Sequence, residues 1–262
     1  MSTPNFIDFI RSINEKTSNE SEYIIANAIM KNIYCIQDIS LDKLANDICI
    51  SASTISRYIN KIGFSSFKEF KNKMSADINY VSTHRQVSNK YLFQEKDTSY
   101  LVDYFYERQI QNINETRKNI DVVKLEQIRD ILLNSYSVYV VGDEEALSLF
   151  HMIQIDLITH GVAVFFLHIY DVALLNMYEI SDKDTFIYLG IEQSWTGTND
   201  KIIIDWIKSY KGTLIAITQY DDYFKNKADI IFNYGIAGTF IDAYASLALI
   251  SKILTEMLYC KD

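Results

Sequence analysis

At 262 residues and 48% hydrophobic content the chain can bury one large core or two smaller ones, which excludes disorder as a description of most of it. No segment reaches the ~18 to 20 uninterrupted apolar residues of a membrane span, and the N-terminus lacks a basic region followed by an apolar run, so neither insertion nor secretion is expected. The formal charge is −9, and its distribution excludes most of the chain as a surface for a polyanion. Residues 1–80 hold nine Lys/Arg and nine Asp/Glu, so the remaining 16 cations and 25 anions carry the whole deficit.

Up to Lys73 the sequence reads as short helices with apolar residues at three- and four-residue spacing: Asn5–Glu15, Glu20–Asn32, Leu41–Ile48, Ser53–Ile62 and Phe67–Asn79. One glycine, Gly63, falls among them. An all-α domain over residues 1–80 is the expectation. Ser40 is placed to cap Leu41–Ile48, and Ser51 or Ser53 to cap the next helix. In that helix Ile55, Ile59 and Ile62 face inward, which leaves Ser53, Thr54, Ser56, Arg57, Tyr58, Asn60 and Lys61 on or near the outer face.

From Cys49 to Lys73 there are five cations, Arg57, Lys61, Lys68, Lys71 and Lys73, against the single anion Glu69. Two short helices joined by a tight turn, the second with hydroxyls at its start and cations further on, have the layout of a helix-turn-helix. Hydroxyls and free helix N–H groups suit phosphate oxygens, an Arg can fork onto a guanine edge, and lysines neutralise backbone charge. Ser51, Ser53, Thr54, Ser56, Arg57, Tyr58, Lys61, Lys68 and Lys71 are the candidate DNA-binding residues. Spacing alone also suits a solvated helix face with ordinary lysines.

Residues 81–99 form a polar tract read as a linker. Helical periodicity returns over Tyr100–Ile120 and Val123–Leu133. Then five compact runs follow: SVYVV (137–141), VAVFFL (162–167), TFIYLGI (185–191), TLIAIT (213–218) and DIIF (229–232). Continuous apolar strands alternating with helices predict a doubly wound, five-stranded parallel sheet within an α/β domain over 100–262. Seven of the eight glycines lie in this part, mostly where strands and helices meet. In such sheets a ligand sits at the carboxyl ends of the strands, which directs attention to VVGDEEALS after the first strand and GIEQSWTGTND after the third.

The segment DISLDKLANDICISASTISRYINKIGFSSFKEFK (38–71) resembles the N-terminal domain of the RpiR family of bacterial transcriptional regulators. That family's reading helix is followed by a Leu-Gly-Phe-Ser-Gly-Phe-like turn and a Lys-Glu-Phe-Lys start. Here these are Ile62-Gly63-Phe64-Ser65-Ser66-Phe67 and Lys68-Glu69-Phe70-Lys71. The resemblance implies a C-terminal SIS domain, a doubly wound α/β unit that binds phosphosugars. It also implies a regulator of sugar metabolism or transport genes rather than an enzyme.

Ser194, Thr196, Gly197 and Thr198 then correspond to the family's Ser-x-Ser-Gly-x-Thr phosphate loop, with Thr198 where the family usually has Glu. The same residues also suit a polar turn that caps helix Asp200–Tyr210. In the first loop Gly142 is followed by Glu144 and Glu145 where the family tends to have a second glycine and serines. Carboxylates there suit the helix dipole and repel a phosphate dianion. Either the anion site is self-filled, or the ligand is placed differently with its hydroxyls on Glu144 or Glu145.

The four histidines, His84, His151, His160 and His168, have no spacing that selects a catalytic one, and a sugar-phosphate isomerase is the competing function. Cys35, Cys49 and Cys260 are far apart, with no CxxC pair, which suits reduced thiols in a cytoplasmic protein without a metal site or cofactor. The last helix, Thr239–Leu258, is apolar on several faces and is expected to lie partly against a partner subunit. The expected partners are double-stranded DNA bearing a palindromic operator, a small-molecule effector of the phosphosugar class, and a second copy of the chain.

Overall fold

The computed structural model describes residues 6–14, 20–79, 96–169, 180–190, 199–236 and 240–259. The chain divides between Lys96 and Asp97 into two compact units. The expected linker, 81–99, lies largely outside the described residues.

The first unit is helical: α1 (Phe6–Asn14), α2 (Glu20–Lys31), a 3-10 segment (Ile33–Asp38), α3 (Leu41–Asp47), α4 (Ala52–Lys61) and α5 (67–79). Its core gathers one apolar stripe from each helix, with Phe9, Ile25, Ile29, Leu44, Ile55, Ile59 and Phe70 among the most buried side chains. Phe70 is the hub, its ring meeting Phe9 and Phe64 edge-on at 5.2 Å each. Ser40 caps α3, accepting the Lys43 N–H at 3.1 Å, and Ser51 rather than Ser53 caps α4, accepting the Thr54 N–H at 3.2 Å.

Both helices end in a six-to-one hydrogen bond around a left-handed residue. After α3 the Ile50 N–H reaches the Ala45 carbonyl across Cys49 at φ 54. After α4 the Phe64 N–H reaches the Ile59 carbonyl across Gly63 at φ 97. Glycine is the residue this backbone favours at the second turn, and a cysteine carries it at the first.

The second unit begins with α6 (Thr98–Asn119) and α7 (Val122–Asn134). Then β1 (Ser137–Gly142), α8 (Glu144–Leu149), α9 (His151–Thr159), β2 (Ala163–His168) and β3 (Thr185–Gly190) follow. α10 (Asn199–Ser209), β4 (Thr213–Thr218), α11 (Asp221–Phe224), β5 (Ile230–Asn233) and α12 (Phe240–Tyr259) complete the described elements. All neighbouring strands pair in parallel in the order β2-β1-β3-β4-β5, the doubly wound sheet expected.

Period-two alternation sends Val138, Val140, Ile187, Leu189, Ile215 and Ile217 to the face covered by α7, α8, α9 and α12. Tyr139, Val141, Phe186, Tyr188 and Leu214 point to the face covered by α10 and α11. On this second face Phe165, Tyr139 and Phe186, register partners on β2, β1 and β3, stack at 5.2 and 5.1 Å.

α12 lies against α6, α7, α8 and α9. Its apolar character therefore has a source within this unit: Leu247, Ile250, Leu254 and Leu258 are buried there, and among its described side chains only Lys252, Glu256 and Tyr259 are exposed. Among the described residues no helix is long and apolar enough to cross a membrane.

Candidate nucleic-acid interface and effector site

The open end of α4 carries a knot of hydroxyls. Ser51 Oγ lies 2.9 Å from Ser53 Oγ and 2.8 Å from Thr54 Oγ1, and Arg57 Nη2 donates to Thr54 Oγ1 at 3.2 Å. Arg57 is exposed, so this hydrogen bond tethers a guanidinium that otherwise faces water. Ser53 is exposed, and Thr54 and Ser56 are half-buried. The first N–H groups of α4 have no intrahelical acceptor, and together with these hydroxyls they form a donor-rich surface suited to phosphate oxygens.

The lysines of this region are not equivalent. Lys61 Nζ donates to both Glu22 carboxylate oxygens at 2.8 Å, which fastens the end of α4 to α2 and offsets that charge. Lys73 is paired with Asp77 at 2.8 Å. Lys68 is exposed on α5. Ser66 caps α5 by accepting the Glu69 N–H at 3.1 Å, and Glu69 returns to accept the Ser65 N–H at 2.8 Å, a reciprocal cap that presents Lys68 at the first turn. The Ser65 hydroxyl, which also donates to this carboxylate, and then the Ser65 N–H hold the Glu69 carboxyl below its ordinary pKa.

Two of the candidate contact residues need correction. Tyr58 is 4% exposed and belongs to the core, because it lies three residues after Ile55 and beside Ile59 on the inward stripe. Lys71 Nζ donates to the carbonyls of Gln37 and Ile39 at 2.8 and 2.9 Å and lies over the Phe67 ring. It fastens the end of the 3-10 segment and Ile39 to α5, so its donors are already committed to two backbone carbonyls.

In the second unit, the strand order reverses between β1 and β3, the position at which open α/β sheets take ligands at the carboxyl ends of their strands. Gly142 and Gly190 close these two strands. At Gly190 a Cβ would stand 3.0 Å from Thr218 Oγ1, so the backbone passes close to β4 there.

Asp143 caps α8, accepting the Ala146 N–H at 2.8 Å. Burial pushes its carboxyl up to about 6, and the neighbouring charges of Glu145 and Glu144 act in the same direction. Glu144 is half-buried and Glu145 exposed. Tyr234, fully buried just past β5, has its hydroxyl raised above the ordinary value by burial and then by Asp143. His168, at the end of β2, is buried. Ser194, Thr196, Gly197 and Thr198 lie outside the described residues.

A second polar group forms past the end of β5. Thr116 Oγ1 accepts the Gly235 N–H at 2.9 Å, Asn112 Oδ1 accepts the Ile236 N–H at 3.1 Å, and Gln219 Nε2 donates to the Ile236 carbonyl. Gly235 sits at φ 63, where a Cβ would stand 2.3 Å from Asn112 Oδ1. Thus α6 is clamped to the carboxyl end of the sheet by buried polar side chains.

Residues 5–80 match the family model described as "Helix-turn-helix domain, rpiR family". The match falls within the helical first unit. An uncharacterized HTH-type transcriptional regulator of Clostridium perfringens is 22% identical over 125 residues, which cover 48% of this chain and 44% of that protein. The match thus spans under half of the relative's length.

The Vibrio vulnificus NanR protein complexed with ManNAc-6P has the same fold at TM-score 0.51 and 13% identity, covering 96% of this chain and 90% of that one. The sugar isomerase domain of an RpiR transcription factor from Sphaerobacter thermophilus gives TM-score 0.49 at 14% identity, over 60% of this chain and 89% of that one.

Within the matched region the structure gathers Ser51, Ser53, Thr54 and Arg57 at one end of α4. The sequence reading missed Asp143, Tyr234, Asn112, Thr116 and Gln219 as members of polar groups in the second unit. Asp143 had a signal, an Asp just before a helix that begins with two glutamates. So had Asn112 and Thr116, polar residues one turn apart on a helix with Phe105 and Ile113 nearby in its pattern. Tyr234 and Gln219 stand at strand ends with no local mark.

Proposed function

We propose that the chain is a DNA-binding transcriptional regulator of sugar metabolism or transport genes, and not an enzyme. The observation that carries the reading is the hydroxyl knot with Arg57 at the open end of α4, in a domain of a helix-turn-helix family. In this reading α4 enters the major groove, Arg57 reads a base edge, and Ser51, Ser53, Thr54 and Ser56 hold phosphates. Lys68 supplies backbone neutralisation, with Lys61 contributing beside Glu22. A cytoplasmic homodimer presents two such helices to a palindrome with half-sites about 34 Å or a multiple apart.

A phosphosugar at the carboxyl end of the sheet sets the affinity. Support comes from the strand order, which reverses between β1 and β3 where such sheets take ligands, and from the fold shared with a NanR protein complexed with ManNAc-6P. Gly142 with Ser194, Thr196, Gly197 and Thr198 take the phosphate end, and Glu144 and Glu145 take sugar hydroxyls. The ligand acts only through a difference in its affinity for two dimer geometries. A second reading, a regulator whose pocket is closed to phosphate, is favoured by Asp143, Glu144 and Glu145 standing together after β1.

The test is selection of genomic fragments by the purified protein near physiological salt, repeated with the R57A variant and with ManNAc-6P or other hexosamine phosphates added. An enriched palindrome, relaxed at one position by Arg57→Ala at a cost of about 1 to 3 kcal/mol, is the expected result. Enrichment that no phosphosugar changes selects the second reading. Absence of enrichment overturns the regulator and sends the protein to an isomerase assay.

A further inference from the structure

α4 delivers Arg57 to its own open end. Long side chains on a helix lean back toward the N-terminus, onto the residues three and four positions earlier. For Arg57 these are Thr54 and Ser53. Its Nη2 donates to Thr54 Oγ1 at 3.2 Å. Ile55, Tyr58 and Ile59 hold the inward side of the helix, so the tie lies on the surface where Ser53 and Arg57 are exposed.

The hydroxyl knot keeps this acceptor in place. Ser51 Oγ accepts the Thr54 N–H and touches both Ser53 Oγ and Thr54 Oγ1, and each of these two contacts uses one hydroxyl proton. Thr54 Oγ1 either donates to Ser51 or accepts from it, and in both arrangements a lone pair remains for Arg57. Three hydroxyls share two contacts, so one proton is left to give to a phosphate oxygen.

The tie also leaves the guanidinium able to read. A guanidinium has two forks of parallel N–H groups, Nε with Nη2 and Nη1 with Nη2, and each fork uses a different Nη2 proton. Whichever proton Thr54 accepts, one fork stays whole for the O6 and N7 of a guanine.

We propose that Thr54 is a positioning residue for base recognition, holding Arg57 in the orientation that presents its intact fork to a guanine. Part of the side chain's freedom is then lost on folding rather than on binding. Resting on the reading of α4 as the DNA-reading helix, this role names the base and sets Thr54 apart from hydroxyls that only hold phosphates.

In the test, the full chain selects duplexes from a random-sequence pool near physiological salt. Affinities of the wild type and of its variants are then measured for the best duplex and for each single-base change in it. Arg57→Ala is expected to flatten the preference at one guanine of each half-site by about tenfold or more. Thr54→Val keeps the shape and removes the acceptor, and should flatten the same position by about twofold to tenfold. Thr54→Ser keeps the acceptor and should keep the preference. In the T54V/R57A double variant the valine should cost nothing further at that position. Thr54→Val that weakens every duplex alike, as loss of a phosphate contact would, overturns the positioning role, and so do effects of Thr54→Val and Arg57→Ala that add. A wild type that selects no sequence, or an Arg57→Ala variant with every preference intact, overturns the reading of α4 and this role with it.

Discussion

Lys68 and Lys71 lie one turn apart on α5 and serve different ends. The Lys71 ammonium satisfies two carbonyls, of Gln37 and Ile39, so Lys71→Ala is expected to destabilise the first unit by about 1 to 2 kcal/mol in a urea titration. The salt dependence of DNA binding should hardly change. Lys68→Ala should do the reverse, leaving stability within about 0.5 kcal/mol and lowering the salt slope by about one. Asp143 makes the opposite kind of contribution. Its carboxyl, at about 6 in the folded chain against an ordinary value of 3.8, binds a proton more tightly when folded, so ionisation works against the fold. That cost is absent below about pH 4, grows as pH rises to about 6 and stays level above. Asn caps a helix as well as Asp does. Asp143→Asn should therefore stabilise the second unit by on the order of 1 to 3 kcal/mol at pH 7.5. The gain should close as denaturation is repeated down to pH 4.

Among the elements, those that local chemistry determines were legible to within a residue or two. Ser40 and Ser51 mark where α3 and α4 begin, and TLIAIT coincides with β4 because a strand buried on both faces is one unbroken apolar run. The 3-10 segment Ile33–Asp38 was not legible, since its Ile33 and Ile36 continue the spacing of α2 while the backbone departs at Cys35. Tyr58 was misplaced because a tyrosine next to Arg57 suggests an outer face, whereas its position three residues after Ile55 puts it inside. The α6 clamp on Gly235 and Ile236 joins residues more than a hundred positions apart, which no periodicity records. Cys49 shows what an element end tolerates. Its backbone is left-handed and its side chain exposed, so Cys49→Gly should relieve strain with little packing lost and raise stability by up to about 1 kcal/mol, read from the denaturation midpoint.

For the molecule as a whole, the division of charge and the division of cores coincide. The balanced half contains the helix-turn-helix, and the acidic half contains the sheet, so a polyanion is steered toward the former and repelled by the latter. The two cores are also built from separate stretches of chain. The first uses residues between Phe9 and Met74, and the sheet cores use residues between Leu125 and Leu258. During synthesis these stretches emerge one after the other, and domains fold as units. The first unit can complete its core as soon as α5 clears the ribosome. The sheet must wait for α12, which closes the face shared with α6, α7, α8 and α9. Arrested nascent chains should therefore show a protease-resistant first unit long before the second. Until α12 arrives, the half-built sheet presents a bare apolar face, and that interval is when the growing chain most needs a chaperone.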